Sequence, residues 1–237
     1  MKLYTLIQNN QRQLAVLIDP GKMSSALLLE IINNAIRCKA DFFFVGGSLV
    51  SQLVDTTISI IKQYTTIPVI VFPGSLLQLS DKADAILLLS LISGRNSDLL
   101  IGNHVIAAPF LRESGVEIIS TGYILIGGEQ VTSVEYMSNT MPIPADKIEI
   151  VMATAIAGEM LGLKMIYLEA GSGAKGKLQK SLIQSVKQSI AIPLIVGGGI
   201  KTKQDLVDAY DAGADLVVVG NAVEQNPAIL LEFSNRG

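Results

Sequence analysis

Glu169 sits two residues ahead of the first glycine in a dense run, Tyr167-Leu-Glu-Ala-Gly-Ser-Gly-Ala-Lys-Gly176. A short apolar stretch, Met165 to Leu168, leads into it, and a helical pattern begins near Leu178. A strand is therefore predicted to end in a glycine turn and hand over to a helix. Gly171, Gly173 and Gly176 permit positive φ and close approach of the backbone to a ligand. N–H groups presented in this way, backed by a helix N-terminus, suit an anion such as phosphate. A carboxylate beside a phosphate cradle can take the proton from a hydroxyl of a small phosphorylated alcohol. One Gly-rich turn is also compatible with a plain strand-to-helix connection carrying a solvated Glu, and taken alone it does not decide between the two.

Two later stretches favour the first reading. Ile192-Pro-Leu-Ile-Val-Gly-Gly-Gly-Ile200 is a second apolar run, ending in Gly197, Gly198 and Gly199, and Leu216-Val-Val-Val-Gly-Asn221 is a third, ending in Gly220 and Asn221. In a (β/α)8 barrel the loops after the late strands frequently build the phosphate site. Earlier in the chain Asp19 closes the first apolar run, as a metal-binding carboxylate or as a turn residue before Pro20. Ser48, after the second run, is either a metal or phosphate ligand or a helix N-cap. Lys22 either steadies a diphosphate or is solvated.

These residues need elements to hold them. Leu14 to Asp19 and Phe42 to Val45 are continuously apolar, as expected of strands covered on both faces. Further runs at Pro68–Phe72, Asp84–Leu89, Val116–Ile119 and the three glycine-ended stretches make eight, alternating with helical patterns. Ser24 reads as an N-cap for a helix over Ser25 to Cys38. About a dozen residues separate the third run from the fourth, short for a crossover of ~10–12 residues plus its turns, so the third helix is expected to be reduced or missing. Thr121 to Pro144 is expected to be a long loop excursion on the catalytic face, a lid or pocket wall. Eight alternating units in 237 residues predict one (β/α)8 TIM barrel over residues 1–237. No Gly-x-Gly-x-x-Gly follows the first strand, which argues against a dinucleotide fold.

Composition narrows the function classes. Charged residues are 16% and apolar residues 49%, which predicts a large core with apolar surface left for an oligomer or a greasy pocket. The net charge of −3 and the scattered basic residues speak against nucleic acid. One cysteine, Cys38, excludes an internal disulfide and a Cys-rich metal site; one histidine, His104, has no triad context around it. No apolar run reaches the ~18 residues of a membrane span, and the N-terminus lacks a signal-peptide core, so a soluble, cytoplasmic protein is expected.

The sequence resembles the family of geranylgeranylglyceryl phosphate and heptaprenylglyceryl phosphate synthases, which are prenyltransferase barrels. The matching residues are Ile18-Asp19-Pro20, Val45-Gly46-Gly47-Ser48, Thr121-Gly122-Tyr123, Tyr167 to Gly173, Val196 to Ile200 and Val219-Gly220-Asn221. They span nearly the whole chain in the family's order. The resemblance implies transfer of a polyprenyl group from its diphosphate to sn-glycerol 1-phosphate, with Mg²⁺ held by Asp19 and Ser48. It implies glycerol phosphate binding by Tyr167, Leu168, Glu169, Ala170, Gly171, Ser172 and Gly173, by Gly198 and Gly199, and by Gly220 and Asn221. Glu169 is then the general base. A homo-oligomer, dimer or hexamer, is also implied. Two positions depart from the pattern: Ser120 stands where many members have Pro, and Leu17 where some have a substrate-contacting Lys, a role left to Lys22.

The chemistry agrees with that likeness. An allylic diphosphate ionises with positive charge spread over the allyl unit, and a bound Mg²⁺ neutralises the leaving group. The tail requires an apolar groove, whose floor is expected around Phe72 to Arg95; Tyr123 is either a wall of it or core packing. The donor favoured here is geranylgeranyl (C20), with C35 the alternative. Two other classes stay open at this point. One is a different phosphate-binding barrel enzyme, an isomerase or aldolase, which needs a Schiff-base Lys or paired carboxylates at strand ends. The other is a non-catalytic barrel that binds a phosphometabolite.

Overall fold

Each strand is apolar on both faces because each face has its own core. Ala15, Phe44, Ile70, Leu87, Tyr167 and Val218 pack together inside the barrel, while Val16, Val45, Val71, Ile86, Leu168 and Val217 pack outward against helices. The computed structural model describes residues 2–47, 54–127, 131–171 and 176–234. Its strands are β1 (Gln13–Ile18), β2 (Phe42–Val45), β3 (Val69–Val71), β4 (Ala85–Leu91), β5 (Glu117–Gly127), β6 (Met165–Glu169), β7 (Leu194–Gly197) and β8 (Leu216–Val219). All pair in parallel with their sequence neighbours, and β8 closes on β1 from Gln13↔Leu216 to Val16↔Val219. A two-residue strand, Ile143–Pro144, adds to the end of β5. The expected TIM barrel is what forms.

The first covering helix, α2 (Ser25–Arg37), begins where the sequence predicts: Ser24 Oγ accepts from the Leu27 N–H at 3.2 Å. Its apolar stripe of Leu28, Ile31, Ile32 and Ala35 is buried, as is Cys38 beyond its end. Helices α3 (Val54–Tyr64), α4 (Asn103–Ser114), α6 (Ile148–Met160), α7 (Lys180–Ser189) and α8 (Lys203–Asp211) continue the ring, with short α9 (Asn221–Gln225) and α10 (Ile229–Glu232) after β8. Between β3 and β4 the chain makes a single 3-10 turn, Leu76–Gln78, so the third helix is reduced as its spacing required.

Two features depart from the sequence reading. Thr121-Gly122-Tyr123 is strand, not loop: β5 runs on to Gly127 and pairs with β6 from Thr121↔Met165 to Leu125↔Glu169. The excursion therefore starts later and carries a helix of its own, α5 (Ser133–Ser138), closed at its N-terminus by a capping box between Thr132 and Glu135. The second feature is α1 (Leu3–Asn9), which closes the end of the barrel opposite the strand C-termini. Leu3 and Ile7 join the interior core, and the Glu117 carboxylate accepts from the Leu3 and Tyr4 N–H groups at 2.6 and 3.0 Å.

Candidate active site

Side-chain alternation along β6 turns Tyr167 into the barrel and Leu168 outward among the helices. Glu169, at the strand end, points inward and is 6% exposed. Its Oε1 accepts from the Gly171 N–H at 2.7 Å, and the hydroxyls of Tyr167 and Tyr123 also donate to it. Burial lifts the Glu169 carboxyl from 4.5 to about 7, outweighing the three hydrogen bonds that favour the charged form. Near neutral pH this group can both accept and release a proton. Burial, and then the Glu169 charge, push both tyrosine hydroxyls well above their usual range, so they remain donors.

The glycines around Glu169 are required by space. Gly198 has φ +82°, and a Cβ there would lie 2.5 Å from Glu169 Oε1. Gly199, φ +73°, backs onto the glycine loop: its Cβ would meet the Gly176 carbonyl at 2.4 Å. Gly171, φ +99°, carries Thr132 directly above it, which seats α5 on the glycine turn. The mixed segment after β5 is thus a wall of the site, as one of its two expected roles required.

Asp19, at the end of β1, lies on the same rim. Its Oδ1 accepts from the Gly21 N–H at 3.1 Å, and its Oδ2 is 3.2 Å from Lys22 Nζ. Lys22 also reaches Glu224 Oε2, on α9, at 3.4 Å. Burial acts to lower the Lys22 pKa, but the charges of Glu224 and Asp19 prevail and raise it. Glu224 is raised because desolvation of its carboxylate exceeds the pull of Lys22. A Lys two residues before Asp19 is absent, and Lys22 places an ammonium beside that carboxylate instead.

These groups face one cavity of about 1480 Å³. It runs from Gly198, Gly199, Gly220 and Asn221, past Glu169, to Asp19, Lys22 and Glu224. Beyond Phe72 it continues into an apolar arm lined by Leu76, Leu79, Leu88, Leu99 and Ala107, beside the space a full third helix would occupy. Phe72, Tyr123 and Tyr167 stand between the two ends as a cluster of rings with centroids 5.2 to 6.0 Å apart. Tyr123 is both core and wall: it is 6% exposed, lines the cavity and touches Glu169.

Not every expected residue arrives. Leu168 is fully buried in the outer core, and Ala170 packs there too, its N–H engaged by the Gly197 carbonyl at 3.1 Å. Neither side chain lines the cavity. Ser48, Ser172 and Gly173 lie outside the described residues. His104 lines the apolar arm, its Nε2 3.1 Å from Ser90 Oγ. Lys164, the lysine an aldolase reading would use, is at the opposite end, 3.4 Å from the Ile118 carbonyl and over the Tyr4 ring. Phe72 enters the site at the start of the stretch expected to floor the groove, while Glu224 carries no sequence signal beyond its position four residues past Gly220.

A hard cation finds suitable donors here. Asp19 and Glu224 present carboxylate oxygens to one cavity, and among the described residues no three His, Cys, Asp or Glu side chains cluster. A protein contribution of one or two carboxylates, with phosphates and water completing the shell, is a donor set that suits Mg²⁺.

A closed parallel barrel with a buried, proton-exchanging carboxylate, glycine turns and a cavity gathered at the strand C-termini has the anatomy of a (β/α)8-barrel enzyme. More particularly, the chain belongs to the PcrB family, whose profile matches residues 7–235. It is 48% identical over 227 residues to a geranylgeranylglyceryl phosphate synthase of Spirosoma linguale, covering 95% of this chain and 91% of that protein. It is 38% identical to the synonymous protein of Methanosphaera stadtmanae over 210 residues, 88% of this chain and 86% of that one. Among solved structures, (S)-3-O-geranylgeranylglyceryl phosphate synthase of Thermoplasma acidophilum, in complex with its substrate sn-glycerol-1-phosphate, superposes with a TM-score of 0.91 at 32% identity, over 100% of this chain and 97% of that one.

Proposed function

We propose that this protein transfers a polyprenyl group, geranylgeranyl in particular, from its diphosphate to the free primary hydroxyl of sn-glycerol 1-phosphate. The observation that carries the reading is the position of Glu169: a buried carboxylate with its pKa near 7, between the glycine turns on one side and the apolar arm on the other. The glycine turns hold the phosphate of the acceptor, and the arm holds the tail. As the bond from the donor's C1 to its diphosphate breaks, the diphosphate leaves with the electron pair. The glycerol oxygen then bonds to C1, and its proton passes to Glu169, leaving an ether. Holding both reactants in one cavity replaces an encounter by an oriented reaction. The rings of Phe72, Tyr123 and Tyr167 border this junction.

Asp19, with Ser48 by family likeness, would hold Mg²⁺; bound there it supplies charge neutralisation of the leaving diphosphate. Lys22 adds a second positive charge on the same rim. An aldolase-type reading needs an uncharged lysine nucleophile, whereas Lys22 at this end is paired with Asp19 and Glu224, which raise its pKa, and a pure binding protein needs no desolvated base.

The deciding measurement is a turnover series with C15, C20, C30 and C35 diphosphates, sn-glycerol 1-phosphate and Mg²⁺. An optimum at C20 is expected. An optimum at C35 would replace the donor, and no product at any length would remove the transferase reading. Fit in such a groove shifts preference by about 1–3 kcal/mol per methylene.

The reading includes a homo-oligomer. Ile101, Val105, Ile106 and Phe110 are exposed at helical spacing along one side of the segment that ends in α4. A second copy packed there would remove this stripe from water, at roughly 25 cal/mol per Å² of apolar area. Light scattering is expected to show at least a dimer that Val105→Glu disperses. A wild-type monomer that persists at high concentration contradicts it.

A further inference from the structure

The single turn that replaces the third helix carries a fully buried glutamine. Gln78 is 0% exposed, although no strand or long helix holds it. Its carboxamide is satisfied by backbone from two loops. Oε1 accepts from the Gly47 N–H at 3.2 Å and the Gly74 N–H at 3.1 Å, and Nε2 donates to the Gly47 carbonyl at 2.6 Å. Both backbone polar groups of Gly47 thus close on one side chain. Gly47 in turn lies flat against the Asp19 carboxylate: a Cβ on it would stand 2.7 to 2.8 Å from the Asp19 carboxyl carbon and oxygens. Gly21 and Lys22 hold the two Asp19 oxygens from the other sides. Gln78 does not line the cavity, so it cannot itself touch a substrate.

We propose that Gln78 is a positioning residue for the diphosphate end of the site, acting through Gly47 on Asp19. It fixes the wall on which Asp19 rests, and so fixes how that carboxylate and Lys22 meet a diphosphate–Mg²⁺ pair. The proposal rests on the transferase reading for the nature of that ligand. The glycerol phosphate end, built from Glu169, Gly171, Gly198 and Gly199, shares no hydrogen bond with Gln78. An amide is demanded because Gly47 offers a donor and an acceptor together, and a carboxamide answers both. Gly47 is only half-buried, so the effect comes less from unpaired backbone groups than from the loss of two hydrogen bonds that fix the wall beside Asp19.

The test is calorimetric binding of inorganic diphosphate with Mg²⁺, and separately of sn-glycerol 1-phosphate, to the full chain. Gln78→Met is expected to weaken diphosphate binding about tenfold or more and to leave glycerol phosphate binding within about twofold. In turnover the KM for the prenyl diphosphate and the Mg²⁺ requirement should rise, with the KM for glycerol phosphate unchanged. Gln78→Glu supplies a second signature should Gln78→Met not fold. Its charged form repels the Gly47 carbonyl, whereas its protonated form donates to it. Diphosphate binding by this variant, relative to wild type, should therefore recover as pH falls from about 8 to about 6, burial having raised that carboxyl. Equal losses for both ligands, no loss for either, or a Gln78→Glu deficit independent of pH would each overturn the proposal. Wild-type protein that binds diphosphate with Mg²⁺ but forms no ether overturns the transferase reading and leaves the Gln78 test standing.

Discussion

Glu169→Gln is expected to yield a more stable protein that barely turns over. The carboxamide keeps an oxygen for the Gly171 N–H and fits the same space, so the fold survives. It cannot take the glycerol proton, and loss of a positioned general base costs about 10²- to 10⁴-fold in kcat. Stability moves the other way. The wild-type carboxyl is raised from 4.5 to about 7 in the folded state, so folding is unpenalised below pH 4.5, where the group is protonated in both states. Stability is lost as pH rises between those values, reaching on the order of 3 kcal/mol above the upper one. Denaturant titrations at pH 8 should show the variant ahead by an appreciable part of that amount, with the two proteins converging near pH 4.5. In wild type the same ionisation makes kcat/KM climb with pH and level off above about 7. A variant that retains activity, or a flat wild-type profile from pH 5 to 8, removes Glu169 from the role of base.

Asp19→Asn should be nearly as damaging to turnover, for a different reason and at the other end of the cavity. The substitution removes a negative oxygen that faces both Lys22 and the proposed cation. Loss of an outer-sphere partner to a metal ligand typically costs about 10- to 100-fold, and loss of the ligand itself should exceed that. Lys22 retains Glu224, so the rim does not collapse. Steady-state assays across a Mg²⁺ series, paired with calorimetry of sn-glycerol 1-phosphate, separate the two ends: turnover should vanish while acceptor binding persists. Unchanged Mg²⁺-dependent turnover would discard Asp19 as a ligand.

The barrel is legible because its strands are buried on both sides and therefore read as apolar runs, five of the eight closed directly by a glycine or an acidic residue. Even the missing helix showed, as too few residues between Phe72 and Asp84. The extension of β5 did not show, because Gly122 looks like a turn. Its actual reason is crowding: a Cβ there would meet the side chains of Ile92, Ile166 and Leu163 at 2.8 to 3.0 Å. Propensity cannot distinguish a glycine required by packing from one required by φ. At the site, residues at strand ends were found by motif, whereas Glu224 and Gln78 belong to no motif and act through distances that only the folded chain defines. Leu168 and Ala170 belong to the same continuous motif, yet their side chains pack in the outer core, because a strand sends alternate side chains to opposite faces.

The α1 helix that stoppers the barrel has a consequence for traffic. With Leu3 and Ile7 filling that end, the described residues leave no passage along the barrel axis. In the proposed reaction the acceptor, the prenyl donor, the released diphosphate and the finished ether would all pass the side of the barrel where the strands end. The small anion can depart past Lys22, but the ether must withdraw its whole chain from the apolar arm before the next donor can enter. Turnover is then expected to be paced by emptying: detergent or bilayer that takes up the lipid should raise kcat, and an unchanged kcat would contradict this.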